Sequence, residues 1–340
     1  MEQSANQVSG AFFGGVVSGA DGQPGEDRLC FCRESEDCFQ LQASATVLAF
    51  FSVSQVEIAR LVVKLLKIEP LYTIAIDRTE WQLGTQWVNV LMLSITYKGV
   101  SIPLFWTVTD EKGCSENAER KAILQKFIDE FGAQSIRFVT ADREFCSKDW
   151  LEFLIANRIS YRLRIKANYQ ITNVRGGLIR AAHLCRTLKT GERREFREKR
   201  LLWNQLVFVA VCRKPDGDNV LVISNEQSGK ILIEYGERWK IETLFGILKT
   251  RGFRLEDTHI TDIERISKLL SLLTIAVSWA MLAGAVEVHS KPLKTKKHGK
   301  LEKSIFRLGF ETLRNCFCQL TTNLRQKQRF KQLTLLLSCI

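Results

Sequence analysis

In LYTIAIDRTEWQLGTQWVNVLMLSITYKGVSIPLFWTVTD (residues 71–110) the apolar spacing changes from the period of a helix to that of a strand. Residues 71–76 form a short apolar run that ends at Asp77. Residues 87–96 read as a long strand, and the turn at Lys98 and Gly99 leads into another at 100–108. Three strands joined by tight connections follow from this pattern. Upstream, Val56, Ile58, Leu61, Val62, Leu65 and Leu66 recur at the spacing of an amphipathic helix, which Pro70 stops. Downstream, a helix opens at Ser115 and runs to about Glu130. Residues 135–140 are a buried strand ending in Ala141 and Asp142, residues 147–157 are helical, and 159–165 are strand again. Alternating elements of this kind indicate an α/β class.

Residues 166–219 change character. Short strand-like pieces at 169–174, 195–199 and 205–211 alternate with Gly- and charge-rich turns, which reads as a β-rich insertion. Residues 220–224 return to the core, and from about Lys230 the chain is mostly helical. The expected organisation is an atypical, disordered region at 1–48 rich in Gly, Ser, Gln and acid, and a helical lead-in at 49–70. The first part of the core is 71–165, the insertion 166–219, the second part of the core 220–290, and a basic helical region 291–340.

The 340 residues are 45% apolar, enough for a sizeable core, and carry a formal charge of +12, which favours polyanionic partners such as nucleic acid. Ten scattered cysteines and a start that does not read as a signal peptide point to reduced thiols in a cytoplasm. Neither Cys30, Cys32 and Cys38 nor Cys316 and Cys318 have the spacing of common zinc sites. Residues 269–286 lack any charge over eighteen positions, the lower edge of a membrane span. They hold Ser271, Thr274, Ser278 and Gly284, and read instead as the central helix of a large domain, with no membrane partner.

Two acids occupy similar places, Asp77 and Asp142 each ending an apolar strand. Ligands meet α/β cores at such edges, although either acid alone reads as a cap or turn residue. A third acid alters the balance. Tyr235, Arg238, Glu242 and Lys249 follow at offsets of three, four and seven, so a helix stacks them on one face. Ile241, Leu244, Phe245 and Leu248 lie on the opposite face and turn to the core.

This Y-x2-R-x3-E-x6-K stripe, with AIDRTEW (75–81), TADREF (140–145), YGERWKIETLFGILKTRGF (235–253) and LEDTHITD (255–262), resembles the insertion-sequence-four group of bacterial DDE transposases. The resemblance runs from about Ala49 to Phe310. It implies a ribonuclease-H-like mixed-sheet core, interrupted by a β-rich insertion between the second Asp and the Glu. Asp77, Asp142 and Glu242 are then the catalytic, metal-binding triad. Ninety-nine residues separate Asp142 from Glu242, which leaves room for the insertion.

The chemistry supplies its own reason for three carboxylates. In-line attack on an anionic phosphodiester is served by two Mg²⁺ ions about 3.5–4 Å apart, with Mn²⁺ able to substitute. Hard cations take oxygen ligands. Asp77 is expected to bridge both ions, with Asp142 and Glu242 holding one each. His183, His259, His289 and His298 are too scattered for a histidine-based nuclease.

The resemblance also implies contacts of Tyr235, Arg238 and Lys249 with DNA ends. Arg164 and Lys166, alternating on the strand predicted at 159–165 and its end, share a face that Arg78 and Arg143 extend toward a DNA channel. Trp203 is a candidate to stack on a base flipped out at a cut end. Arg193, Arg194, Arg197, Lys199 and Arg200, and separately Lys291, Lys294, Lys296, Lys297 and Lys300, form basic clusters suited to phosphate backbones. Glu80 and Glu144 are either extra ligands or surface acids, and Asp257 is a turn residue. The expected protein is a transposase that cuts element ends and joins them to target double-stranded DNA as a homodimer, in the cytoplasm on the nucleoid. The alternative is an N-terminally altered, catalytically impaired form acting as a DNA-binding or inhibitory protein.

Overall fold

β-branched and aromatic residues dominate the three strands that open the domain, β1 (Tyr72–Leu83), β2 (Gln86–Tyr97) and β3 (Val100–Thr109). They pair antiparallel in sequence order. Lys98 and Gly99 take positive φ angles of 41° and 91° at the turn between β2 and β3, as a two-residue hairpin with the twist of its strands requires. Val88 to Ile95 are all buried, so both faces of the sheet are covered here and alternation is suppressed. The computed structural model describes residues 54–113, 116–295 and 301–338. The expectations for residues 1–48, with Cys30, Cys32 and Cys38, and for Ser115, Lys296, Lys297 and Lys300 lie outside the described residues.

Helix α1 (Gln55–Leu65) begins at a capping box in which Ser54 and Glu57 satisfy each other's backbone N–H groups, and it packs on β3. After β3 come α2 (Asn117–Phe131), β4 (Ile136–Ala141), α3 (Lys148–Ala156) and β5 (Tyr161–Arg164). β4 runs parallel to β1, and β5 parallel to β4. The order β3-β2-β1-β4-β5, three strands antiparallel and then two parallel crossovers, is the ribonuclease-H-like core that the resemblance implied.

Residues 166–219 supply β6 (Gln170–Thr172), β7 (Leu178–Arg180), β8 (Arg193–Glu195), β9 (Arg200–Leu202) and β10 (Gln205–Arg213). Only β6 and β7 form a separate ribbon. β10 joins the main sheet through β11 (Asn219–Ser224), which lies antiparallel to β5, so one nine-stranded mixed sheet spans core and insertion.

The remainder is helical: α4 (Ile231–Tyr235), α5 (Trp239–Gly246), α6 (Ile263–Ser290), α7 (Ile305–Cys318) and α8 (Leu324–Ser338). α6 is long and apolar enough to cross a membrane, yet 83% of its most apolar window is buried within the fold. It packs on β3, α1, α7 and α8. α6 and α7 cross at backbone contact: a Cβ on Gly309 would fall 1.8 Å from the Ala280 carbonyl oxygen, and one on Gly284 2.0 Å from that of Ile305. Trp279 Nε1 donates to the Leu333 carbonyl, and its ring meets Phe317 and Phe330, which fastens α8.

Candidate active site

The hydrogen-bonded ladder between β1 and β4 ends at the pairs Ala75–Thr140 and Ile76–Ala141. The next residue on each strand is an aspartate, so Asp77 and Asp142 emerge side by side where the parallel pairing stops. The expectation that Asp77 ends its strand needs correcting. β1 continues to Leu83 along β2, because Arg78 to Leu83 still find partners in the hairpin. Each aspartate accepts the backbone N–H of the residue after it, Arg78 at 2.9 Å and Arg143 at 2.8 Å, which fixes both carboxylates. Asp142 thereby also caps the short 3₁₀ turn Arg143–Phe145.

The Glu-bearing segment is not one regular helix. α4 passes through a 3₁₀ turn (Gly236–Arg238) into α5, which ends in a π turn (Ile247–Arg251). Ile241, Leu244, Phe245 and Leu248 are buried as expected. The start of this segment is pinned by Arg162, a buried residue of β5. Its Nε donates to Glu234 at 2.5 Å, its Nη1 to Ser224 Oγ at 2.9 Å, and its guanidinium lies over the Phe138 ring. Glu234 immediately precedes Tyr235, so this network sets where the stripe begins.

Arg238 is buried and holds the centre of the site. Its Nη1 donates to Asp77 Oδ2 at 2.9 Å, its Nη2 to Glu242 Oε1 at 2.7 Å, and its Nε to Tyr235 Oη at 3.1 Å. Tyr235 Oη in turn donates to Asp142 Oδ1 at 3.2 Å. One guanidinium and one phenol thus connect all three acids, using the fixed fork of arginine donors. Exposure rises outward: the side chains are 13% exposed at Asp77, 28% at Asp142 and 55% at Glu242.

Burial pushes the Asp77 carboxyl up to about 6, against the pull of Arg238 and of the Arg78 N–H. Burial likewise raises the Tyr235 phenol to about 12. Burial also opposes the charge of Arg238, but the surrounding Tyr235, Asp77, Asp142 and Glu242 outweigh it and hold the guanidinium charged.

The donors present are oxygens, and a buried carboxylate whose ionisation is resisted by its surroundings suits a hard divalent cation. In the described residues no three His, Cys, Asp or Glu side chains are gathered closely enough to hold a metal ion as they stand. Arg238 supplies the balancing positive charge instead.

The other predicted residues distribute unevenly. Arg164 reaches the site, with Nη1 3.6 Å from Asp142 and Nη2 bonded to Asp218 at 2.9 Å. Lys166 does not share its strand face: β5 ends at Arg164, and Lys166 is exposed at a turn closed by Tyr169 N–H on its carbonyl. Lys249 sits on the π turn, which rotates it out of the stripe. Its Nζ donates to the Glu80 carbonyl and pairs with Glu256 at 2.7 Å, over the Trp81 ring. Trp203 occupies the two-residue β9–β10 turn with Asn204, both at positive φ, and packs edge-on against Tyr169 with ring centres 4.9 Å apart.

Glu80 and Glu144 flank Arg78, at 3.3 and 3.6 Å. Arg200, counted in a basic cluster, is buried against Phe196 and near Glu198, so it does not belong to a solvated patch. Residues that the sequence reading passed over are Arg162, Glu234 and Asp218. A basic residue within the apolar strand 161–165 was the only signal of the first.

A profile of the transposase DDE domain matches residues 69–279, more than half of the chain, including the whole nine-stranded sheet and all three acids. The chain belongs to the transposase DDE domain family. No curated protein matches it. Among solved structures it is similar to a piggyBac transposase synaptic complex with hairpin DNA, determined by cryo-EM, at a TM-score of 0.42 and 10% identity. That similarity covers 80% of this chain and 59% of the other, so the chain spans less than two thirds of that protein's length. Within the DDE family, the two aspartates where the β1–β4 ladder stops and the helical glutamate are the candidate triad of this chain.

Proposed function

We propose that this DDE-family chain is a transposase of the insertion-sequence-four type that cuts the ends of an element and joins them to target DNA. The observation that carries this reading is the convergence of Asp77, Asp142 and Glu242 on Arg238 and Tyr235. Asp77, Asp142 and Glu242 are the residues to hold two Mg²⁺ ions, or Mn²⁺ in their place. Once bound, such ions activate the attacking oxygen and stabilise the leaving one.

The roles of the protein's own groups follow from their charge and reach. With the carboxylates balanced by cations, the Arg238 fork is released to clasp a phosphate in bidentate fashion, and Arg164 adds a second positive charge at the same edge. Tyr235, kept un-ionised by burial, donates its proton to an acceptor throughout the neutral range. Water attack on a phosphodiester breaks the P–O3′ bond and leaves a 3′-OH and a 5′-phosphate. Attack of that 3′-OH on a second phosphodiester forms the new P–O bond and expels another 3′ oxygen, with no outside energy source. Double-stranded DNA is the partner, and two ends handled together call for a homodimer on the nucleoid.

Alanine at Asp77 or at Glu242 is expected to abolish Mg²⁺-dependent cleavage of a duplex carrying the element end while leaving its binding intact. Undiminished cleavage by either variant overturns the proposal.

A further inference from the structure

A second strongly basic feature lies on the next face of the helix that carries Glu242. Thr243, Ile247 and Thr250 line one wall of an open cleft of about 610 Å³, and the start of α7 lines the other. Five cations face into it, Arg251, Arg254, Lys303, Arg307 and Arg314, with Glu302 as the acid in its lining. Glu311 pairs with Lys303 and Arg307, and Asp257 lies 3.7 Å from Arg254. The lining of the cleft itself therefore holds five cations and one acid.

The backbone is bent to build this cleft. The π turn at Ile247–Arg251, a Gly252 whose added Cβ would fall 2.7 Å from the Ile247 carbonyl oxygen, and Arg254 at a φ of 50° together carry Arg251 and Arg254 into it. π turns and left-handed non-glycine residues cost free energy and collect where a local geometry is required. α7 opens its first turn, capped by Ser304, on the same cleft, which adds the positive end of a fourteen-residue helix. Phe306 and Phe310 form an apolar part of the wall beside these charges.

We infer that this cleft is a second DNA-contact surface, which grips the phosphodiester backbone of the element-end duplex beyond the point where the carboxylates engage it. The inference rests on the DNA-cutting reading above. Four of the five cations are arginines, whose planar forks match phosphate oxygens. Thr243 directly follows Glu242, so the cleft continues around α5 from the cutting edge, and the duplex held for cutting is the one that reaches it. Contacts of this kind bind backbone without reading bases, and they register as salt dependence.

The test compares full-length wild type with the triple variant Arg251→Gln/Arg254→Gln/Arg314→Gln. Each is titrated with a duplex carrying the inverted repeat that borders the gene, and with an equal-length duplex lacking it, over a range of salt. Loss of three phosphate contacts lowers the slope of log Kd against log salt by about 2.7, at roughly 0.9 per contact. The expected result is that drop for the triple variant on the repeat-bearing duplex.

A triple variant that melts early is replaced by Lys303→Gln/Arg314→Gln, for which the drop is about 1.8. An unchanged slope in a folded variant overturns the inference alone. A drop confined to the duplex without the repeat overturns the assignment to the element end. A wild-type chain that binds neither duplex overturns the DNA-cutting reading and this inference with it.

Discussion

Arg238→Met is the perturbation that most directly probes how the site is held together. Arg238 is only 4% exposed and bonds Asp77, Glu242 and Tyr235 at 2.9, 2.7 and 3.1 Å. Methionine fills much of the volume and removes every donor. Glu242 loses little, because its half-exposed side chain turns to water. Asp77 has no such escape at 13% exposure and takes up a proton instead, which at pH 7.5 costs about 2 kcal/mol for a carboxyl that natively titrates at about 6.

Urea unfolding in EDTA at pH 7.5, followed through the seven tryptophans, measures it. Asp77→Asn in the same chain removes the titrating group, so the double variant is expected to lose about 2 kcal/mol less than the sum of the singles. The pH dependence has a definite sign. Burial already holds the Asp77 carboxyl at about 6 in the folded protein, above its unfolded value, so the fold binds the proton more tightly and stability falls as pH rises through that window. Without Arg238 the carboxyl rises further, so the penalty grows as the pH climbs above about 6 and is absent below about 5. A loss under about 1 kcal/mol at pH 7.5, unaltered in acid, would refute the reasoning.

Other outcomes follow from the same geometry. Tyr235→Phe deletes the link between Asp142 and Arg238 and is expected to cost about 1.5–3 kcal/mol by urea titration, as hydrogen bonds to charged groups do. Arg162→Met strands the buried end of Glu234 and is expected to lose about 3–5 kcal/mol, with Tyr235 displaced in the crystal structure of the variant. Gly309→Ala forces a Cβ against the Ala280 carbonyl, and calorimetry is expected to show about 1–3 kcal/mol of lost stability as α6 and α7 part. Mass-mapped alkylation at pH 8 is expected to label exposed Cys318 well before Cys146 and Cys185, whose thiols burial raises to about 12 and 11.

Periodicity carried the reading wherever one regular element met the core. The apolar face of Ile241, Leu244, Phe245 and Leu248 was legible because burial of a helix repeats every three to four residues. So were the three opening strands and the alternation that followed them. What stayed illegible depended on contacts distant in sequence or on departures from regular geometry. Nothing local marks Asp77 as the end of one ladder inside a strand that another ladder prolongs.

A uniform 3.6-residue turn places Lys249 beneath Glu242, but a π turn intervenes and delivers it to Glu80 and Glu256. Trp203 reads as a strand tryptophan, whereas its left-handed turn is set by the β9–β10 pairing. Arg162 looked like any strand arginine, because its worth lies in Glu234 and Ser224, more than sixty residues away.

The site's two aspartates belong to the termination of a ladder, not to a loop. Their spacing is therefore a property of the sheet, as stiff as the nine strands around it, and insertions in the connecting segments leave it untouched. Glu242 arrives separately, on a helical segment broken on both sides, and so is the member whose position a change of state or sequence alters most cheaply.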